Sequence, residues 1–564
     1  MTEHLIIGGG IAGLYLAYKL KSNNIIILEK TARLGGRIST IDNKGFKYES
    51  GAGRVGLKQE LIMKLIKELG FSNSLIKTQN KKHYFLKNKY FKSEKKLLGF
   101  YKIKKYNSIR EIWLKILKCT TKKKEELLKN INLYTYLFTI LNENEVELIT
   151  DTMGYISELL DYNAYNAIYT LKNDFDLVDN EFYVLAGGLE QIINKLENIL
   201  LDRGVQIFNN HLLKNFSDNK KSIYSKKAII ETFRGQKKIN CNNIYFTVKK
   251  SDYMKIKYFK PNISLFRSSV TEGNLMRIYA KYPTKKDKSW FDDIPKVITD
   301  NPILYIIPIS IKDGLIMISY SDKYFADFWD NLGGDKEILK MLNFFLKKIF
   351  PKKNIPKPEW ITTHFWKGGV HYWKPKVDSS VIKTRFENLY FQNNIYICGE
   401  TYSNNQAWIE GSLKSVKEIL DFKKKQLGGL QEKKALKKFT LKEVEDKNKK
   451  NPEQVWAIIK NKKDKPIKNL KTDKYYVFNL TKWIKKHPAG SHHITKIRNI
   501  KNYDATDLFY GNPNHGIESF NALSNYVVGY LNKNLKGGKK KQFWEMNIEE
   551  LKNYVENQRK KHSF

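Results

Sequence analysis

Gly8, Gly9 and Gly10 cut short an apolar run, Leu5–Ile7, and Gly13 follows within the next turn of chain. Glycines at this spacing suit the binding of a pyrophosphate. Gly8 permits a tight turn, Gly10 lets phosphates approach the backbone, and Gly13 lets a helix pack closely on a strand. Ile11 and Ala12 open that helix, where unpaired N–H groups and a partial positive charge attract anions. Glu29, about twenty residues past the turn, can accept hydrogen bonds from a ribose, with Lys30 beside it at the same edge. Arg33-Leu34-Gly35-Gly36-Arg37 comes next. Its glycine pair lets backbone crowd a flat or charged ligand, and its arginines suit phosphate oxygens. No lysine follows the last glycine of the first motif, so a nucleoside triphosphate loop is not indicated. The chemistry is dinucleotide binding.

The elements that must position these residues are legible. Leu5–Ile7 and Ile25–Leu28 read as strands, and Leu14, Ala17 and Leu20 keep helical spacing between them. The strand, glycine turn, helix, strand and acid order argues against a turn without a ligand. "GFKYESGAGRVG" (Gly45–Gly56) alternates and then turns around Arg54. Residues 57–175 read mostly as helix, through segments such as "SIREIWLKILK" and "EVELITDTMGYISELL". Their aromatic stripes read as core. Gly187-Gly188 opens a helix that Gly204 ends, a short strand follows at Val205–Phe208, and Cys241–Lys249 is a further core strand. From 266 to 384 the strands are longer and aromatic. Residues 426–438 read as a Gly-Gly break and a lysine-rich linker, after which the chain changes character.

The 564 residues exceed one ordinary domain, and 41% hydrophobic content is ample for packed cores. Cys119, Cys241 and Cys398 stand singly, which excludes a disulfide framework or a zinc cluster. The N-terminus enters a strand at once and does not read as a signal peptide. The most apolar stretch, "NPILYIIPISIKDGLIMISY", is cut by Lys312 and Asp313, so no transmembrane segment is expected. A soluble protein of the cytoplasm is expected, or of a virion if the source is viral. The formal charge of +43 could draw nucleic acid, acidic proteins or a membrane surface. Lysine is spread along the whole chain with Asn and Ile, the mark of an AT-rich genome, and no nucleic-acid motif accompanies it. Nucleic acid is therefore a possible but not a favoured partner.

The two glycine motifs together, and "ARLGGR" in particular, resemble the flavin-containing amine oxidases and L-amino-acid oxidases. The resemblance selects FAD over a nicotinamide and implies an α/β fold. Its expected parts are a discontinuous Rossmann-type FAD-binding domain (1–56, 185–265 and 385–425) and an interleaved α+β substrate domain (57–184 and 266–384). It places Gly8, Gly10, Ile11, Ala12, Gly13, Glu29, Lys30, Arg37, Ala52, Gly53, Arg54, Glu400, Trp408 and Ile409 against the cofactor, with Leu213 touching adenine by its backbone. "IYICGETYSNNQAWIEGSLKSV" (Ile395–Val416) carries the second strong likeness, a strand followed by a helix whose N-terminus points at the flavin. Trp408 and His371 take the places of the two aromatic side chains that sandwich the amine. Arg54 falls where relatives clamp a substrate carboxylate, and the alternative, an arginine spent on flavin phosphates or a nearby acid, stays open. Tyr305 is a second carboxylate partner, and Arg277 replaces the usual lysine beside the flavin. Val370 stands where some relatives attach flavin through cysteine, so the FAD is expected to be non-covalent.

Beyond the linker, "YYVFNLTKWIKKHPAGS", "YDATDLFYGNPNH" and "LSNYVVGYL" come in the order of a cytochrome b5-like domain (439–533), before a tail at 534–564. This resemblance implies haem b with His487 and His515 as axial ligands, since two neutral imidazoles can close both axial positions of the iron. His492 and His493 are competing ligands. The whole reading is an FAD-dependent oxidation of a primary amine, an L-amino acid in the first place, with electrons passed to dioxygen, to the fused haem or to an acidic redox partner. Two alternatives remain: a polyamine or monoamine oxidase, and a non-catalytic flavin- and haem-bearing protein that binds nucleic acid. The oligomeric state is not legible.

Overall fold

The computed structural model describes residues 2–531 except 121–123, 175–180, 220–224, 432–436, 465–466, 468–469, 485–491, 513–514, 516–518 and 520–522. His487 and the tail from residue 534 lie outside the described residues. The chain forms two compact units, Met1–Lys423 and Lys424–Phe564.

In the first unit, β1 (Thr2–Ile7), α1 (Ile11–Leu20) and β2 (Ile25–Leu28) make the expected strand, helix and strand. β1 lies parallel between β2 and the strand Gly235–Phe246. Leu5, Ile6 and Ile27 are wholly buried, because a parallel strand covered on both faces needs a continuous apolar run. Four more strands complete this seven-stranded sheet, among them Leu212–Asp218 and Ile395–Ile397.

A second seven-stranded sheet is built around the long antiparallel pair β3 (Val270–Lys281) and β4 (Trp360–Trp373). It takes in Lys82–Leu86 and Lys89–Phe91, a hairpin inside the stretch expected to be mostly helical. Lys87 and Asn88 at its tip both have positive φ, 50° and 59°. Two left-handed residues in a two-residue loop match the right-handed twist of the flanking strands, so local turn chemistry overrides the helical pattern around it. Helices such as Ile109–Lys118 and Glu143–Met153 fill the rest of the insert. A small sheet matters more for function. Val55–Gly56 pairs with Phe182–Leu185, with Val55 opposite Tyr183 and Gly56 opposite Phe182. That register carries Phe182 to the side of Arg54.

α2 (Ile409–Gln431) runs through Gly428 and Gly429, where the sequence suggests the start of a linker. A helical glycine costs only about 1 kcal/mol against alanine and ends a helix when it turns left-handed. The second unit has its own four-stranded sheet, ordered Lys437–Phe439, Val527–Leu531, Tyr475–Asn479, Trp456–Lys460. Helix Leu441–Lys450 opens with a capping box between Thr440 and Glu443. The fold as a whole is mixed α/β.

Candidate active site

The first glycine turn sits at the C-terminal end of β1. Gly8 has φ +110°, and a Cβ there would lie 2.6 Å from the Thr247 hydroxyl oxygen. A Cβ on Gly13 would lie 2.1 Å from the Gly8 carbonyl oxygen, so only glycine lets α1 approach β1. Gly10 differs. Its Cβ would meet nothing closer than the Gly35 carbonyl at 3.9 Å, and one on Gly36 nothing closer than the Gly10 Cα at 3.6 Å. The space between the two glycine motifs is thus a cradle that side chains would fill. α1 begins there with no side-chain cap on its first N–H groups, those of Ile11 and Ala12 among them. An uncapped helix N-terminus beside bare backbone fits the pyrophosphate of a dinucleotide.

Glu29 closes one end of the cradle. Its carboxylate accepts from the Gly9 N–H at 2.9 Å and from the Thr31 N–H and hydroxyl at 2.9 and 2.8 Å. Lys30, expected beside it, is turned away: its ammonium pairs with both oxygens of Asp252 at 2.7 and 2.8 Å. A lysine this exposed takes the nearest carboxylate. Leu213 lies on Leu212–Asp218 next to a register shift against the neighbouring strand, where the regular ladder is interrupted. Arg33 is also spent, donating to the carbonyls of Leu34, Gly36 and Ile38 and pairing with Glu190, so it braces the loop.

Arg37 reaches the second half of the site, donating to Glu400 at 2.5 Å and to the Gly369 carbonyl at 3.1 Å. Glu400 is a buried hub. Besides Arg37 it accepts from the N–H and Nδ1 of His371, at 3.1 and 2.8 Å, and from the Ala407 N–H at 2.8 Å. Burial alone raises a carboxyl, but here the Arg37 and His371 charges and hydrogen bonds outweigh it and hold Glu400 well below the usual range. One carboxylate therefore fastens the end of β4 to the segment that carries Trp408 and leads, at Ile409, into α2.

His371, which the resemblance sets opposite Trp408, is held by carboxylates. Its ring is wholly buried, with Nδ1 on Glu400 and Nε2 3.4 Å from Glu272. A polar ring at a buried strand position needs partners at both nitrogens: Glu400 meets Nδ1, and Glu272 and the Lys250 N–H, each at 3.4 Å, meet Nε2. The Phe182 ring stacks beside Trp408, its centroid 5.7 Å away and 12° from parallel. The Arg54 guanidinium lies 4.3 Å over the Phe182 ring and 5.7 Å from the Trp408 ring. No carboxylate among the described residues comes within ion-pair distance of Arg54.

Ala52 and Gly53 lie between Arg37 and Arg277: the Ala52 N–H donates to the Arg37 carbonyl at 2.8 Å, and a Cβ on Gly53 would lie 3.2 Å from an Arg277 amine. Arg277 donates to the Glu49 carbonyl at 2.8 Å and stacks 4.6 Å over the Tyr320 ring. Tyr305 is buried and its hydroxyl donates to the Met153 carbonyl at 2.8 Å, so its proton is not offered to a substrate carboxylate. Tyr155 bridges the group, with ring centroids 5.1 Å from Tyr305 and 5.9 Å from Tyr320. Phe182 and Tyr155 escape the sequence reading because aromatics in such stripes usually pack a core. His515 belongs to the second unit. There its Nδ1 lies 2.8 Å from the Phe509 carbonyl, which can only accept, so Nδ1 carries a proton.

Residues 11–223 match the family of flavin containing amine oxidoreductases. Mouse flavin-containing amine oxidase B is 36% identical over 91 residues, 16% of this chain and 18% of the relative. The match to such amine oxidases thus spans less than a fifth of their length. The L-amino acid oxidase bordonein-L of Crotalus durissus terrificus is 22% identical over 459 residues, 73% of this chain and 84% of the relative. A crystal structure from Exiguobacterium, assigned by its description to protoporphyrinogen oxidase, superposes with a TM-score of 0.56 at 15% identity. It covers 75% of this chain and 99% of its own, and shows a shared fold. No helix among the described residues is long and apolar enough to cross a membrane.

Proposed function

We propose that the first unit binds FAD without a covalent link and oxidises the α-amine of an L-amino acid to the imine, which water converts to a keto acid and ammonia. The observation that carries this is Arg54: a guanidinium set on Phe182 beside Trp408, with no carboxylate partner among the described residues. Such a group holds a carboxylate through two parallel hydrogen bonds and so fixes the α-carbon. Bound in the glycine cradle, FAD supplies the acceptor for the hydride that leaves that carbon. Arg37 and Glu400 would hold the cofactor from one side, and Gly10, Ile11, Ala12 and Glu29 from the other. Phe182 and Trp408 orient the substrate and exclude water from it. Arg277, tied to the Glu49 carbonyl, keeps a fixed positive charge beside Gly53. The relatives named above, amine oxidases and an L-amino acid oxidase, support the same reaction class. The test is anaerobic: L-amino acids added to the FAD-loaded protein bleach the flavin band, while no bleaching by any amino acid would overturn the reading.

For the second unit a cytochrome b5-like reading is favoured by His515. With Nδ1 donating to the Phe509 carbonyl, the neutral ring keeps its lone pair on Nε2, the form in which histidine binds iron. His515 and His487 would hold haem b, which supplies one-electron transfer. A haem absorption band that His515→Ala weakens or abolishes is the expected result, and a protein that takes up no haemin would refute it.

A further inference from the structure

We propose that the substrate is an L-amino acid with an acidic side chain, aspartate or glutamate, and that Arg277 with Tyr320 forms the subsite for its second carboxylate. This rests on the α-carboxylate reading of Arg54. Arg54 and Arg277 are on one wall, since Gly53, the neighbour of Arg54, abuts an Arg277 amine. Tyr155, its ring 5.9 Å from that of Tyr320, feels both guanidiniums, each of which draws its hydroxyl down against burial. Arg277 lies 4.6 Å over the Tyr320 ring, and Arg54 lies 5.7 Å from the Trp408 ring. Neither guanidinium has a carboxylate within ion-pair distance among the described residues.

The acids that act on this wall do not cancel its charge. Glu49 influences Arg277, but burial pushes its carboxyl up to about 7, and its oxygens accept from the Leu189 N–H at 2.6 Å and the Thr40 hydroxyl at 3.1 Å. Glu158, whose field reaches Tyr155 and Tyr305, already has a partner of its own. Asp322 is buried and accepts from the N–H groups of Ile156 and Ser157 at 3.1 and 2.8 Å, capping a helix. Two guanidiniums on one wall with no acid to pair them are costly unless anions meet them, and a substrate with two carboxylates meets both. Arg277 hydrogen-bonds the Glu49 carbonyl, Tyr279 and Tyr320, which fixes its plane, and its guanidinium has donors beyond these for a carboxylate.

Two measurements on FAD-loaded protein test this. In the first, glutarate and succinate raise the melting temperature more than butyrate does, and Arg277→Met removes the difference while Arg277→Lys keeps part of it. In the second, the ratio of kcat/KM for L-glutamate or L-aspartate over L-leucine exceeds about tenfold and falls by about that factor in Arg277→Met. Equal stabilisation by mono- and dicarboxylates, or a ratio that Arg277→Met leaves unchanged, would overturn the subsite but leave amino-acid oxidation standing if L-leucine still bleaches the flavin. Bleaching by amines alone would instead overturn the reading on which the subsite rests.

Discussion

Glu49 holds a carboxyl where water is scarce, five residues before Arg54. Its side chain accepts from Leu189 and Thr40 while its own carbonyl takes hydrogen bonds from Arg277 and Tyr279, the latter at 2.6 Å. Burial dominates, and the carboxyl rises to about 7 from an ordinary value of 4.5. The folded chain therefore binds a proton more readily than the unfolded chain between those values. Its contribution to stability is fully present below pH 4.5 and is lost as pH rises through 7, by up to about 3 kcal/mol. Urea unfolding between pH 4.5 and 8 should show that slope, and Glu49→Gln, which keeps an acceptor for Leu189, should flatten it. A slope unchanged in the variant would assign the pH dependence to other groups. Glu400 has the opposite sign: Arg37 and His371 hold it low, so its contribution is lost only on acidification below the ordinary carboxylate range.

At the scale of elements, the glycine turn between β1 and α1 separates packing from binding. Gly13→Ala drives a Cβ to 2.1 Å from the Gly8 carbonyl, backbone against backbone, and should lower stability by about 1–3 kcal/mol. Gly10→Ala adds a methyl only to the open cradle, at a residue with φ −77° that alanine adopts freely. Thermal unfolding of the flavin-free protein should be nearly unchanged in Gly10→Ala, while equilibrium flavin binding weakens. Equal loss of stability in both variants would mean that the cradle is ordinary core. This turn was legible from sequence because glycine spacing, helical period and strand composition all agree there. Other parts were hidden for physical reasons. His371 carries no mark of its two carboxylate partners, which come from β3 and the Glu400 turn. The Lys82–Phe91 hairpin is signalled only by Lys87-Asn88, a weaker turn pair than one containing glycine.

The whole molecule joins a mixed α/β first unit to a smaller second unit with its own sheet, and the charge of +43 spreads over both. The order of the first unit was readable in outline because β1, β2 and Ile395–Ile397 are short apolar runs bounded by Gly or Asn. What no sequence pattern could supply is the convergence: Arg54, Phe182, Arg277 and Trp408 are separated by up to 354 residues yet share one wall. The most direct test of that convergence compares the wild type with Arg54→Met, both loaded with FAD, by anaerobic bleaching of the flavin band. Bleaching by L-amino acids is expected in the wild type and is expected to fall by at least about a hundredfold in rate in Arg54→Met, with any bleaching by polyamines retained. Undiminished bleaching by L-amino acids in Arg54→Met would contradict the assignment of Arg54 as the carboxylate clamp.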